Sequence, residues 1–208
     1  MALVELPASH APVGSAPPAP PARPRVVAVG TALVSAGILM TFATMLGMYL
    51  QKRAGFMAAN PDATWVPEAV TFPMHQPNVM VLALLMSSVV IQWAVWAIRN
   101  NDRPQAYLAL GITELFGFAV VTLAAYNYSI MKLDIDSGSE LAIMTYAITG
   151  GHLLLLVAAM IFTALMAFRA LGGQFSSRQY DGMTAAAMFW HVQVLVFAVI
   201  WYAIYITK

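Results

Sequence analysis

Four strongly polar side chains stand deep inside long apolar stretches of this sequence, and they are its candidates for chemistry. They are Glu114 in "GITELFGF", His152 in "ITGGHLLLL", and His191 with Gln193 in "FWHVQVLVF". Polar groups in hydrocarbon cost free energy, and inside membrane spans they mark proton relays, ligand sites or hydrogen bonds between helices. Each therefore has a functional and a structural interpretation.

Glu114 is the carboxylate placed well inside a predicted span, about 13 Å from its inner end at 1.5 Å per residue. A buried carboxylate is protonated or paired, so Glu114 could relay protons, hold a partner, or serve as a neutral hydrogen-bonded residue of the bundle. His191 has a predicted depth of about 12–15 Å on a helix running in the same direction. We therefore expect Glu114 to be buried inside the bundle and to contact His191 or a hydroxyl.

The two histidines could in principle ligate a haem between them, as in b-type cytochromes. His152 is predicted roughly 25 Å from the inner end of its span, so it and His191 should differ in depth by about 10 Å or more. Such a difference argues against a shared haem, and neither histidine has a second ligand at i+3 or i+4 for copper or zinc. The sequence predicts no catalytic, metal-binding or cofactor-binding residue in this chain.

Composition determines the class of protein that carries these side chains. The chain is 61% hydrophobic and 9% charged, with a mean hydropathy of +0.74. Soluble domains are about 25% charged, so this composition indicates an integral membrane protein. A net charge of +1 provides no basic patch for nucleic acid, and the lack of cysteine excludes disulfides, iron–sulfur clusters and Cys-ligated zinc or copper.

Five apolar segments are long enough to cross a membrane as helices. They are Val26–Leu50, Asn78–Ile98, Gln105–Met131, Leu141–Phe168 and Met183–Ile206. The sequence thus predicts an all-α membrane protein, with a five-helix bundle over residues 26–208. Residues 1–25 are rich in Pro and Ala and lack the apolar core of a signal peptide, which predicts a flexible tail.

The distribution of cations predicts the orientation of the bundle. One side holds Arg23, Arg25, Arg99, Arg103, Arg169 and Arg178, and the other holds Lys52, Arg53, Lys132 and Lys208. The positive-inside rule then places the N-terminus inside and the C-terminus outside. The loop Gln51–Pro77 falls outside, with Trp65 predicted at the membrane interface. An odd number of spans disfavours an inverted-repeat transporter.

The closing segment "FWHVQVLVFAVIWYAIYI" resembles the last helix of cytochrome c oxidase subunit III. Phe189, Trp190 and His191 match that family's aromatic–Trp–His pattern, and Trp201–Tyr205 match its aromatic run. The stretch "YAITGGHLLLLVAAMIF" is similar to the family's Thr–Gly–x–His segment in the preceding helix. The first span resembles the start of the five-helix bacterial form, so the resemblance covers the chain from Arg25 onward.

Some positions depart from the family pattern. Ile38 stands where the family usually has a glutamate, and Leu155 replaces its second histidine. Val194 replaces an aspartate that follows the Trp–His pair, and Asn127 replaces a glutamate near the end of the third span. The chain is therefore similar to a divergent member that has lost most of the family's carboxylates.

The resemblance implies a supporting, non-redox subunit of a membrane haem–copper terminal oxidase in aerobic respiration, in a bacterial plasma (inner) membrane. It implies packing against the catalytic subunit I of a hetero-oligomeric complex, bound phospholipid in a cleft, and support of stability and proton uptake. Haem and copper would belong to partner subunits. We then expect structural roles for the buried side chains Glu114, His152, Trp190, His191 and Gln193.

Two alternatives remain at this point. The chain could be the subunit III-like partner of a nitric oxide reductase, because a complex that pumps no protons needs no proton-collecting carboxylates. It could also be a small membrane transporter or channel that uses Glu114 as its proton site.

Overall fold

The computed structural model describes residues 25–68, 70–131, 133–134 and 139–207. Within these ranges, five helices are long and apolar enough to cross a membrane, which confirms the predicted all-α membrane fold. They are α1 (Val26–Ala59), α2 (His75–Arg99), α3 (Arg103–Met131), α4 (Glu140–Leu171) and α5 (Asp181–Ile200), the last continued by a π-helical segment (Trp201–Ile206). The predicted tail of residues 1–25 lies outside the described residues except for Arg25.

The predicted spans agree with the helices to within a few residues, except at the end of α1. That helix continues nine residues beyond the predicted Leu50 and ends at Ala59. The extension is rich in Gln, Lys, Arg, Ala and Met, which favour helix although they are not uniformly apolar. Asn60 leaves the helical conformation because Pro61 follows it, and the residue before a proline disfavours that conformation. The Asn60 side chain donates to the carbonyl of Phe56 at 3.0 Å.

Helix α5 is the central element of the bundle. It packs against α1, α2 and α4, while α3 packs mainly against α2 and α4. Along α5 the side chains of Trp190, Gln193 and Ile200 are fully buried. The two helices that carry His191 and Glu114 are therefore not close neighbours, and this arrangement determines which polar groups can meet.

The start of α5 lies beside the start of α1, and the link before α5 lies beside the link between α2 and α3. The backbone N–H of Ala28 donates to Asp181 Oδ2 at 3.4 Å, and the backbone N–H of Ser177 donates to Asn101 Oδ1 at 3.0 Å. This end of the bundle is called the Arg-rich end. Its described arginines are Arg25, Arg99, Arg103, Arg169 and Arg178. The structure thus groups these cations as the sequence predicts, and the side of the membrane they face stays a prediction.

The opposite end is held by contacts between α1 and later parts of the chain. Lys52 forms a salt bridge of 2.7 Å with Glu140 at the start of α4. Arg53 donates to Thr207 Oγ1 at 2.9 Å, next to the π-helical segment. The predicted outer cations Lys132 and Lys208 lie outside the described residues.

Trp65 lies in the loop that joins α1 to α2, and its side chain is buried. Its predicted place at the membrane interface stays a prediction. Its Nε1 donates to the hydroxyl of Tyr49 at 3.2 Å, and its ring meets that of Phe56 edge-on at 5.4 Å between centroids. A buried indole needs an acceptor for its N–H, and Tyr49 supplies one. Trp65 therefore fixes the loop to the last turns of α1.

Candidate functional site

His191 faces α2, where two polar side chains stand at its level. Its Nδ1 lies 2.7 Å from Ser88 Oγ, and its Nε2 lies 3.3 Å from Gln92 Oε1. An amide oxygen only accepts, so with Gln92 in this orientation Nε2 carries the proton and Nδ1 accepts from the serine hydroxyl. The imidazole is half-buried. It therefore ties α5 to α2 and leaves one edge open to a cleft.

The cleft runs between α2 and α5 from the Arg-rich end to His191, and has a volume of about 570 Å³. Arg25 and Arg99 line its mouth, and the guanidinium of Arg99 lies 5.3 Å from the ring centroid of Tyr180. A second hollow of about 580 Å³ on the same face shares His191 and Gln92 in its lining and is walled by tryptophans of α2. The surface is cationic at one end and mostly apolar along its length.

Trp190 makes the second polar link between α5 and α2. Its Nε1 donates to Ser87 Oγ at 2.9 Å, and that hydroxyl donates to the carbonyl of Leu84 at 2.7 Å. Trp190, Ser87 and Leu84 are fully buried. Adjacent residues Trp190 and His191 thus each bond to one member of the Ser87–Ser88 pair.

His152 points into the core of the bundle. Its Nε2 lies 2.9 Å from the backbone carbonyl of Gln193, and because a carbonyl only accepts, Nε2 carries the proton. The ring stands 5.1 Å from that of Phe197 and 6.4 Å from that of Phe42, between centroids. His152 therefore joins α4 to α5 between two aromatic rings.

The predicted depth difference between the histidines is too large. His152 bonds to Gln193, which is two residues beyond His191 and about 3 Å farther along α5. The overestimate arises because α4 has 32 residues and is longer than the hydrocarbon is thick, so positions counted from its ends overstate depth. The histidines nevertheless serve different neighbours, since His152 faces the core and His191 faces α2.

The side chain of Gln193 does not make the helix-fixing hydrogen bond expected of it. It is fully buried, and neither its Oε1 nor its Nε2 has a hydrogen-bond partner in the part of the chain that the structure describes. The link to α4 uses the backbone carbonyl of this residue instead. The acceptor here is a backbone carbonyl, and a pattern of side-chain types cannot identify such an acceptor.

Glu114 differs most from its prediction. It is half-buried and lines a groove of about 220 Å³ between α3 and α4, rather than the interior of the bundle. Its Oε1 has no hydrogen-bond partner among the described residues, so the expected contact with His191 or a hydroxyl is wrong. The physical reason is that α3 packs on α2 and α4, while His191 on α5 faces α2.

A third set of polar contacts lies toward the end opposite the arginines. Asn127 Nδ2 donates to the hydroxyl of Tyr205 at 3.2 Å, and the hydroxyl of Tyr128 donates to Thr149 Oγ1 at 2.9 Å. These residues and His152 line an enclosed cavity of about 10 Å³. The sequence indicated Asn127 only as a replaced carboxylate, and it gave no reason to single out Tyr205.

The missed residues of the α2–α5 contact are Ser87 and Ser88. Their signal was the pair of hydroxyls inside the apolar run "LLMSSVV", opposite the Trp–His pair in the bundle. Among the described residues, no group of three or more His, Asp and Glu side chains could hold a metal ion.

Comparison with known proteins identifies the family of this chain. A family model described as cytochrome c oxidase subunit III matches residues 27–208. The chain belongs to the cytochrome c oxidase subunit III family. The matched residues begin at the second residue of α1 and run through the π-helical segment, so the match includes all or nearly all of each helix described above.

Curated relatives named cytochrome c oxidase subunit 3 are similar over most of the chain. The protein of Spodoptera frugiperda is 30% identical over 143 residues, which are 68% of this chain and 97% of the relative. That of Carassius auratus is 29% identical over 164 residues, 77% of this chain and 62% of the relative. That of Struthio camelus is 28% identical over 153 residues, 72% of this chain and 58% of the relative. The aligned part of this subunit III chain thus spans less than two thirds of the latter two proteins.

Proposed function

We propose that this chain is a non-redox, supporting subunit of a membrane haem–copper terminal oxidase in aerobic respiration, held in a bacterial plasma membrane and packed against the catalytic subunit I. The observation that carries the proposal is the subunit III family match over residues 27–208. The polar contacts of the bundle support it, because His152, Trp190 and His191 all form hydrogen bonds with neighbouring helices. Haem and copper then reside in partner subunits.

Phospholipid is the ligand that the α2–α5 cleft fits best. Its mouth offers the guanidinium groups of Arg25 and Arg99, and arginine binds phosphate oxygens with charge-assisted hydrogen bonds. The adjoining hollow is walled by Trp93 and Trp96, which offer an apolar surface to an acyl chain. A phosphate at the Arg-rich end with a chain running toward His191 satisfies both parts of the cleft.

Support of proton uptake, in this proposal, comes from assembly rather than from carboxylates at the family's usual positions. Ile38 and Val194 occupy two such positions, and both are buried apolar side chains. Asn127 occupies a third and is neutral and buried. The subunit would therefore stabilise the working form of subunit I without itself collecting protons at these sites.

The same three neutral positions favour one second candidate, the subunit III-like partner of a nitric oxide reductase. A complex that pumps no protons has no need of acids at Ile38, Asn127 and Val194. The two candidates share the fold and the cleft, and they differ in the reaction of the haem-bearing partner.

Purification of the tagged chain from its native membranes distinguishes them. We expect a haem-bearing partner in the optical spectrum of the preparation, together with reduction of oxygen to water. Reduction of nitric oxide without oxygen reduction would establish the second candidate. Recovery of the chain alone, free of haem-bearing partners in several mild detergents, would reject both.

The lipid proposal has its own test. In Arg25→Gln/Arg99→Gln, we expect loss of phospholipid that copurifies with the wild-type complex, measured by lipid mass spectrometry. Arg178→Gln is the matched control, because Arg178 is exposed at the same end and does not line the cleft. Equal phospholipid content in the double variant and the control would refute the assignment.

A further inference from the structure

The groove between α3 and α4 combines a buried acceptor with an apolar surface. Glu114 Oε1 is almost inaccessible and has no hydrogen-bond partner within the described ranges. Around it the groove is lined by Phe118, Val121, Val157, Met160, Ile161 and Ala164. Phe118 is 63% exposed and Ile161 is 57% exposed, so the rim of the groove faces away from the bundle.

The depth of Glu114 restricts what can satisfy it. The residue lies roughly 16 Å along α3 from Arg103, and the hydrocarbon core is about 30 Å thick. Phospholipid headgroups lie at the two surfaces, so only acyl chains reach the groove, and acyl chains have no hydrogen-bond donor. Water is scarce at this depth. A donor for Glu114 therefore has to come from another polypeptide inside the membrane.

The surface of α3 next to the groove permits close approach of such a polypeptide. Gly111 lies one turn before Glu114 and is exposed. A Cβ added at this glycine would meet no described atom of another helix within 4 Å. Leu115 and Phe118 continue the same exposed stripe at 69% and 63% exposure. Small residues on a membrane helix let a second helix pack closely, and polar side chains then bond between the helices.

We propose that this groove is the docking site of a transmembrane helix from another subunit of the complex, which donates a hydrogen bond from a hydroxyl or amide side chain to Glu114. The proposal rests on the proposed function, since it requires a multi-subunit complex. The carboxyl specifies the partner, because an apolar membrane surface alone would fit lipid equally well. The groove sets the register, with the donor opposite Glu114 and the partner's backbone nearest Gly111.

A photo-crosslinking amino acid at Phe118 tests the proposal in the intact complex. We expect the crosslink to join this chain to one other polypeptide of the complex, identified by mass spectrometry. Glu114→Leu should lower its yield about fivefold, because the acceptor is gone, whereas Glu114→Gln keeps an acceptor and should retain most of it. Thr122→Val is the matched control, because Thr122 is also exposed on α3 but already donates to the carbonyl of Phe118 at 2.9 Å.

The outcomes separate this inference from the proposed function. Crosslinks to lipid alone, or to a second copy of this chain, would overturn the docking site even if a haem-bearing partner copurifies. An unchanged yield in Glu114→Leu would overturn the role of the carboxyl. If no other subunit copurifies at all, the proposed function fails first. The haem spectrum of the same preparation shows which of the two has failed.

Discussion

Trp190 on α5 donates from its Nε1 to Ser87 Oγ on α2 at 2.9 Å, and both side chains are fully buried. The next residue, His191, bonds to Ser88, the next residue of α2. Two consecutive residues of one helix are thus paired with two consecutive residues of another. Such pairing fixes both the rotation and the axial position of α5 against α2, and this wall also bounds the cleft.

Trp190→Phe should destabilise the bundle by about 1–2 kcal/mol, because it removes the donor to Ser87 and replaces a fully buried side chain by a smaller one. The measurement is unfolding in mixed micelles by titration with denaturing detergent. Trp96→Phe is the control, since Trp96 is 55% exposed on the same helix pair. Equal loss of stability in both variants would contradict the pairing described above.

His152→Leu should destabilise the bundle, whereas Gln193→Met should not. The first removes the donor to the backbone carbonyl of Gln193 and should cost about 1 kcal/mol. The second removes an amide whose polar atoms lack partners among the described residues, so it should be neutral or stabilising. The same micelle titration compares them. A strongly destabilised Gln193→Met would show that the amide is satisfied in the native protein.

Cysteine labelling from the outer face should reach the loop between α1 and α2 and should not reach the Arg-rich end. Ala63→Cys reports the loop, and Ser177→Cys reports the Arg-rich end. Ser177 is preferable to Asn101, because Asn101 has φ +58 and its side chain accepts from the backbone of Ser177. The predicted orientation requires an impermeant reagent to label intact cells at position 63 only. Labelling at position 177 only would reverse it.

The purified lone chain should bind no haem and no transition metal. It has no cysteine, and its two membrane histidines are committed to Gln193 on one side and to Ser88 and Gln92 on the other. The checks are a haem absorption spectrum and elemental analysis of the polypeptide separated from its partners. One equivalent of haem or copper, retained after separation, would contradict the prediction.

Apolar length is a direct property of sequence, which is why the five spans could be located in advance. Helix rotation is not, and the prediction for Glu114 failed for that reason. Lipid is as apolar as the interior of a helix bundle, so the sequence of a membrane helix does not show which of its faces points outward. The direction in which Glu114 points is set only by the packing of α3 on α2 and α4. The partners of Trp65 show the same limit, because its ring meets Phe56, which lies on a helical extension that hydropathy does not reveal.

The polar site was predictable in type but not in partners. A histidine and a tryptophan in an apolar span must find hydrogen bonds, so interhelical roles for Trp190 and His191 follow from their type. Their partners Ser87 and Ser88 come from a helix a hundred residues away, and the pattern of either helix alone does not pair them. The hydrogen bond to Gln193 uses a backbone carbonyl, so side-chain types could not predict it.

The contacts made by the π-helical segment from Trp201 to Ile206 depend on the exact number of residues in it. A π-helical turn has a wider i→i+5 repeat than an α-helical turn, and here it brings Trp201 Nε1 to Asn78 and the Tyr205 hydroxyl to Asn127. Removing one residue between them would leave the hydropathy of the segment almost unchanged and would restore an α-helix. It would also bring Tyr205 one residue closer to Trp201, which changes the rise and the rotation between the two side chains. Small deletions should therefore be tolerated less well here than apolar substitutions of the same residues.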